Sequence, residues 1–171
     1  MADPLLVAVD VDYRPTGAVA AGVWFRGWAA AAAEHEATAA VPDVADYVPG
    51  EFFRRELPGL LAVLPAGPAP DVVLVDGFVW LADGRPGLGA VLHAALGGPA
   101  VVGVAKTRFK GTAAEPVARG GARPLFVTAA GMDPAVAAAA VRGMHGPYRL
   151  PTLLKRADTL ARTAPQGDDR G

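Results

Sequence analysis

The chain has 171 residues, a length that suits one domain with a sizeable buried core. It has no cysteine, which excludes disulfides, thiolate metal sites and a cysteine nucleophile. Net charge is −1, and no apolar run approaches the roughly 20 residues of a bilayer span or the form of a signal peptide, so a soluble, cytoplasmic monomer is expected.

In chain order, Leu5 to Tyr13 reads as a first strand, with Val7, Val9 and Val11 on one face and Asp10 and Asp12 on the other. Pro15-Thr16-Gly17 signals a turn, and Ala18 to Arg26 forms a second strand, hairpin-linked to the first. Trp28 to Ala40 is expected as a third strand, although its alanines favour helix. Val41 to Gly50 reads as a loop and Glu51 to Leu64 as a helical stretch, with Pro58 at its start or at a kink. Val72 to Val75 is an all-apolar run ending in Asp76-Gly77, the pattern of a buried parallel strand. A short helix over Leu88 to Leu96, a strand over Ala100 to Ala105 and a last strand over Leu125 to Ala129 follow. Pro134 to Met144 and Pro151 to Arg162 complete the helices. The whole predicts an α/β domain over residues 1–162, in which a mixed sheet carries antiparallel strands first and parallel ones later, and a flexible tail over 163–171.

Charge is unevenly distributed. Residues 1–51 hold eight acids and two bases, a balance of −6. Residues 101–125 hold five bases and one acid, and residues 142–162 likewise, a balance of +4 each. An acidic pole with a basic later half suits a metal site beside a phosphate track; chance surface charge gives the same totals.

Asp10 within an apolar strand is costly to bury unpaired. Together with Asp76, and with Glu56 from a nearby helix, it would make a hard oxygen-ligand set suited to Mg2+ or Mn2+. Plainer readings stand beside this one. Asp76 could simply close its strand before Gly77, and Glu56 could pair with Arg54 or Arg55. Asp12 shares the face of Asp10 and fits a solvated strand end better than a fourth ligand. Phe78 and Trp80 fit either a base pocket or the core, and Asp133 before Pro134 is most simply a helix cap.

Seven blocks stand in order along the chain. They are Val7-Ala8-Val9-Asp10-Val11-Asp12-Tyr13, then Tyr47-Val48-Pro49-Gly50 through Arg55-Glu56-Leu57-Pro58, then Pro70-Asp71 through Asp76-Gly77. Gly87-Leu88-Gly89, Gly103-Val104-Ala105-Lys106, Pro124 to Thr128, and Tyr148-Arg149-Leu150-Pro151 through Asp158 complete the series. In this order the blocks resemble those of the endonuclease V family, and the resemblance implies an RNase H-like fold and a metal-dependent endonuclease that cuts DNA or RNA near deaminated bases such as inosine. It implies that Asp10 and Asp76 hold the metal with Glu56 completing the cluster, and that Lys106 lies near the phosphate. Tyr47, Val48, Pro49 and Gly50, with Gly77, would contact the nucleic acid beside the altered base; an aromatic ring can stack there. The chain departs from the family where histidines are usual. Phe78 to Pro86 contains none, and Ala129-Ala130-Gly131-Met132-Asp133 stands where the family has Gly-His-Arg. A non-catalytic nucleic-acid-binding relative is therefore the alternative, and a phosphoesterase for small nucleotides a third reading.

Overall fold

The computed structural model describes residues 3–42 and 53–165. The first two strands, β1 (Leu5–Tyr13) and β2 (Ala18–Arg26), form an antiparallel hairpin pairing Leu5 with Arg26 and Tyr13 with Ala18. The strand β3 (His35–Val41) adds antiparallel to β2. It begins seven residues later than expected. Gly27, at φ +83°, turns the chain out of β2, and the Glu34 N–H returns to the Trp24 carbonyl before pairing resumes at His35.

The helix α1 (Phe53–Val63) carries Pro58 in its interior. Next come β4 (Val72–Asp76), α2 (Leu88–Leu96), β5 (Ala100–Ala105), a short β6 (Glu115–Val117), β7 (Leu125–Ala130), α3 (Pro134–Arg142) and α4 (Thr152–Thr163). The sheet order is β3-β2-β1-β4-β5-β7-β6. The β4 strand lies parallel to β1 and β5 parallel to β4, as expected for buried apolar runs. The expectation of parallel later strands fails at β7, which runs antiparallel to β5 with Val101 opposite Ala130. The intervening segment folds back as β6, an edge strand that tolerates Pro116 because its outer side needs no partner.

Both faces of the sheet are covered, giving the mixed α/β, RNase H-like architecture. Leu6, Ala8, Phe25, Leu74, Val102 and Leu125 pack against the face of α3 and α4 that carries Ala137, Val141, Leu153 and Ala157. Val7, Val9, Trp24, Val73, Val75 and Val101 pack against Leu60 and Val63 of α1 and Leu88 and Leu92 of α2. The period-2 alternation of β1 thus serves two cores, one for each set of side chains. Among the described residues no helix is long and apolar enough to cross a membrane.

Candidate functional site

The two aspartates meet through strand register. Leu6 pairs with Val72 and Ala8 with Leu74. The same offset carried two residues further sets Asp10 beside Asp76, where both strands leave the core. Both side chains point to the face covered by α4. The sheet is held tight at this end by glycines. A Cβ on Gly103 would lie 2.4 Å from the Gly77 carbonyl oxygen, and the Gly77 N–H, at φ +124°, donates to the Val104 carbonyl at 3.2 Å. Gly77 thereby turns the chain immediately after Asp76 and fixes where its carboxylate stands.

One cleft opens between these strand ends and α4. Asp10, Asp76, Lys106 and Asp158 supply its charged walls, and Val9, Val75, Leu150 and Leu154 are among its apolar ones. Asp10, Asp76 and Lys106 are thus brought together as expected; Asp158 is an addition. It lies on α4 one residue past buried Ala157, so it projects at the border between the core stripe and solvent. Local spacing disguises it as a surface charge, since it pairs with Lys155 at 3.3 Å and with Arg162 at 3.0 Å, three and four residues away.

Glu56 arrives from the opposite face of the sheet, on α1, and does not line the cleft. Its partner is the Tyr13 hydroxyl, which donates to its carboxylate, and the Arg55 guanidinium lies 4.3 Å from the centre of the Tyr13 ring. Tyr13, three residues after Asp10 on the alternate face of β1, therefore ties Glu56 to the strand that carries Asp10. Asp12, expected as a solvated strand-end residue, instead binds Arg14 at 2.6 Å. Arg14 in turn donates to the carbonyls of Ala161 and Ala164 at the C-terminus of α4. Tyr47, Val48, Pro49 and Gly50 lie outside the described residues.

The acids are electrostatically strained. Burial first, and then the negative charge of Asp76, push the Asp10 carboxyl up from 3.8 to about 7, against a hydrogen bond from the Val11 N–H. Burial and the charge of Asp76 hold Glu56 up at about 7 despite the Tyr13 hydroxyl. Asp76 is raised too, by burial and by Asp158, with Lys106 opposing. Asp158 moves the other way: burial would raise it, but Lys155, Arg162 and a hydrogen bond from Asp10 outweigh that. Crowding and burial together disfavour the ionised form of these carboxyls. Among the described residues no group of three or more His, Cys, Asp or Glu side chains is placed to hold a metal ion, so two adjacent aspartates are the most the cleft offers. The set is open, with oxygen donors only.

None of the three histidines lines the cleft. His35 reaches the Ala66 carbonyl, His93 the Pro99 carbonyl and His145 the Thr152 hydroxyl. Phe78 is buried beside Leu81 and Ala105, whereas Trp80 is on the surface, its indole N–H donating to the Ala129 carbonyl. Asp133 caps α3 by accepting from the Ala135 N–H at 2.8 Å.

The family model described as Endonuclease V matches residues 2–145 of this chain. The endonuclease V of Streptomyces coelicolor is 35% identical over 185 residues, covering 93% of this chain and 78% of the relative. The chain belongs to the endonuclease V family. The crystal structure of the Streptomyces avermitilis endonuclease V superposes with a TM-score of 0.79 at 29% identity, covering 94% of this chain and 82% of the other. The Ciona intestinalis endonuclease V, crystallised with a 24mer DNA containing an inosine followed by a ribo-adenosine, shares the fold at a TM-score of 0.77 and 20% identity, covering 94% and 84% of the two chains. The stretch matched by the endonuclease V model ends before Asp158, so the fourth acid is assigned here on geometry.

Proposed function

We propose that this member of the endonuclease V family is a metal-dependent nuclease that hydrolyses a phosphodiester bond near a deaminated base, such as inosine, in DNA or RNA. The observation that carries this reading is the convergence of Asp10, Asp76 and Asp158, from three separate elements, on one cleft that also holds Lys106. The donor set fits Mg2+ or Mn2+. It offers hard oxygens, and Mg2+ is commonly held by one or two carboxylates, the rest of its shell coming from water and phosphate. Asp10 and Asp76 would hold the ion, with Asp158 across the cleft and Glu56 contributing negative charge from behind the strand ends. Such an ion stabilises charge developing on the phosphate and lowers the pKa of a bound water. The chain's own residues do the rest. Lys106, at the rim, attracts and orients the phosphate, while Leu150 and Leu154 keep one side of the cleft apolar.

A second reading is favoured by one specific feature. Phe78 to Pro86 and Ala129 to Asp133 lack the family's usual histidines, and none of the three histidines present lines the cleft. Under that reading the protein binds altered nucleic acid without cutting it. Strand cleavage separates the two. Purified protein is incubated with labelled single-inosine DNA and RNA oligonucleotides and undamaged controls, in Mg2+, Mn2+ or chelator, beside an Asp10→Ala, Asp76→Ala double variant. Scission near inosine that is lost in chelator and in the double variant supports the nuclease. Binding without scission in either metal supports the second reading.

A further inference from the structure

Tyr148 is 76% exposed, the most exposed of the large hydrophobic side chains described. An aromatic ring so open to water is ordinarily found on a slack loop, yet the loop that carries it is firmly held. The Arg119 guanidinium and Nε donate to the carbonyls of Val141, Arg142, Met144, Gly146, Tyr148 and Arg149. Arg149 donates in turn to the carbonyls of Lys106 and Pro124. The Thr152 N–H returns to the His145 carbonyl at 2.9 Å, closing the loop onto the start of α4. The ring is thus displayed on a loop tied through Arg149 to Lys106, the residue that follows β5 at the acidic cleft.

Beside the ring lies a groove of about 570 Å³, lined by Lys106, Pro147, Tyr148, Leu150, Thr152 and Lys155. Its size falls within the range of small-ligand sites. Lys106 and Leu150 line both this groove and the cleft of Asp10 and Asp76, so the two share a wall. The cleft is acidic and the groove contributes two lysines and no acid. An aromatic face flanked by cations is the standard equipment for holding an unpaired nucleotide, because every base offers a π face and every linkage an anion.

We propose that this groove is a nucleotide subsite of the same active centre: an unpaired nucleotide next to the scissile phosphate stacks its base on Tyr148, and its phosphate lies between Lys106 and Lys155. The inference rests on the nuclease reading for the position of the scissile phosphate. A rigid ring is ready before the strand arrives, so little ordering is needed on binding. Stacking tolerates any base, so the subsite adds grip on the strand without reading sequence.

The test is equilibrium binding of short fluorescein-labelled single-stranded DNA, with and without inosine, measured by anisotropy in chelator so that the strand stays intact. Tyr148→Ala is expected to weaken binding roughly 5- to 150-fold, the scale of one lost base–aromatic stack. Tyr148→Phe keeps the ring and is expected to stay within about twofold. An abasic site walked along the strand identifies the stacked nucleotide, since at that position the wild type and Tyr148→Ala converge. The melting temperature of Tyr148→Ala, unchanged for so exposed a side chain, shows that the loss is not one of folding. Equal binding by wild type and Tyr148→Ala on every oligonucleotide overturns the subsite. If the wild type cuts near inosine and Tyr148→Ala binds equally well, only the subsite falls. If it does not cut, yet Tyr148→Ala loses binding, stacking of a nucleotide on Tyr148 stands while the nuclease reading, and with it a scissile phosphate beside the groove, falls.

Discussion

Replacing Asp10 with asparagine should make the metal-free protein more stable while abolishing its chemistry. Asp10 is held at about 7 against an ordinary 3.8 by burial and by the charge of Asp76. That rise corresponds to about 4 kcal/mol of penalty for the ionised form, at about 1.36 kcal/mol per pKa unit. Asp10 borders an open cleft, and water there screens part of the repulsion, so about 1–3 kcal/mol is the expected gain from neutralising it. The sign follows from linkage. A carboxyl whose folded pKa lies above its unfolded one stabilises the fold below the unfolded value and loses that contribution as pH rises through the folded value. The wild type should therefore fall behind Asp10→Asn between about pH 4 and pH 7, with a constant gap above that. Asparagine can still accept from the Val11 N–H, and its amide can donate to Asp158 where the Asp10 proton would have been. For a chain of this size the gap amounts to roughly 3–10 °C in Tm. Circular dichroism melts of both proteins in chelator, across that pH range, measure it. A variant that melts at or below the wild type at about pH 8, or a gap as wide at pH 4 as at pH 8, would refute the claim that Asp10 is strained by its neighbours.

Mg2+ or Mn2+ should raise the wild-type Tm above neutral pH, and the rise should shrink roughly tenfold in apparent affinity per pH unit below about 7, because the ion competes with the Asp10 proton; thermal shift at fixed metal and varied pH checks this. Asp158→Asn should slow scission roughly 10²–10³-fold, as losing one group that stabilises charge at the reacting centre does; its exposed pairs with Lys155 and Arg162 make little difference to Tm. Tyr13→Phe removes the donor that favours ionised Glu56, so it should cost about 1–2 kcal/mol above pH 7 and less near pH 5, where Glu56 holds its proton. Paired denaturant curves at the two pH values read that difference.

Much of the sheet was legible because β1, β4 and β5 are apolar runs of strand length, and a carboxylate inside such a run stands out. Asp10 and Asp76 were found that way. Their adjacency was expected from strand order and resemblance, but the exact register is a property of two strands and emerges only when Leu6 meets Val72. The start of β3 was obscured by the alanines at 29–33, which carry almost no periodic signal. The reversed direction of β7 and the presence of β6 follow from a three-residue edge strand containing proline, which leaves no pattern in the sequence. Asp158 was hidden by its own helix. Lys155 and Arg162 are neighbours that any solvated helix face would show, and only the approach of α4 to β1 and β2 reveals the opposite side of that carboxylate.

The union of β1 with α4 has a consequence for the unfinished protein. Asp10 and its partner Asp158 stand near opposite ends of the described chain, and Arg14 reaches from beyond β1 to the carbonyls of Ala161 and Ala164. A polypeptide halted before Thr152 has no fourth acid, and it leaves Leu6, Ala8, Val23 and Phe25 uncovered by the helix that seals them. Such a fragment presents an oily face to any protease or chaperone that surveys the cell's incomplete products. The same helix that brings Asp158 to the cleft also conceals that face, so the site and the core are closed by one late segment of the chain.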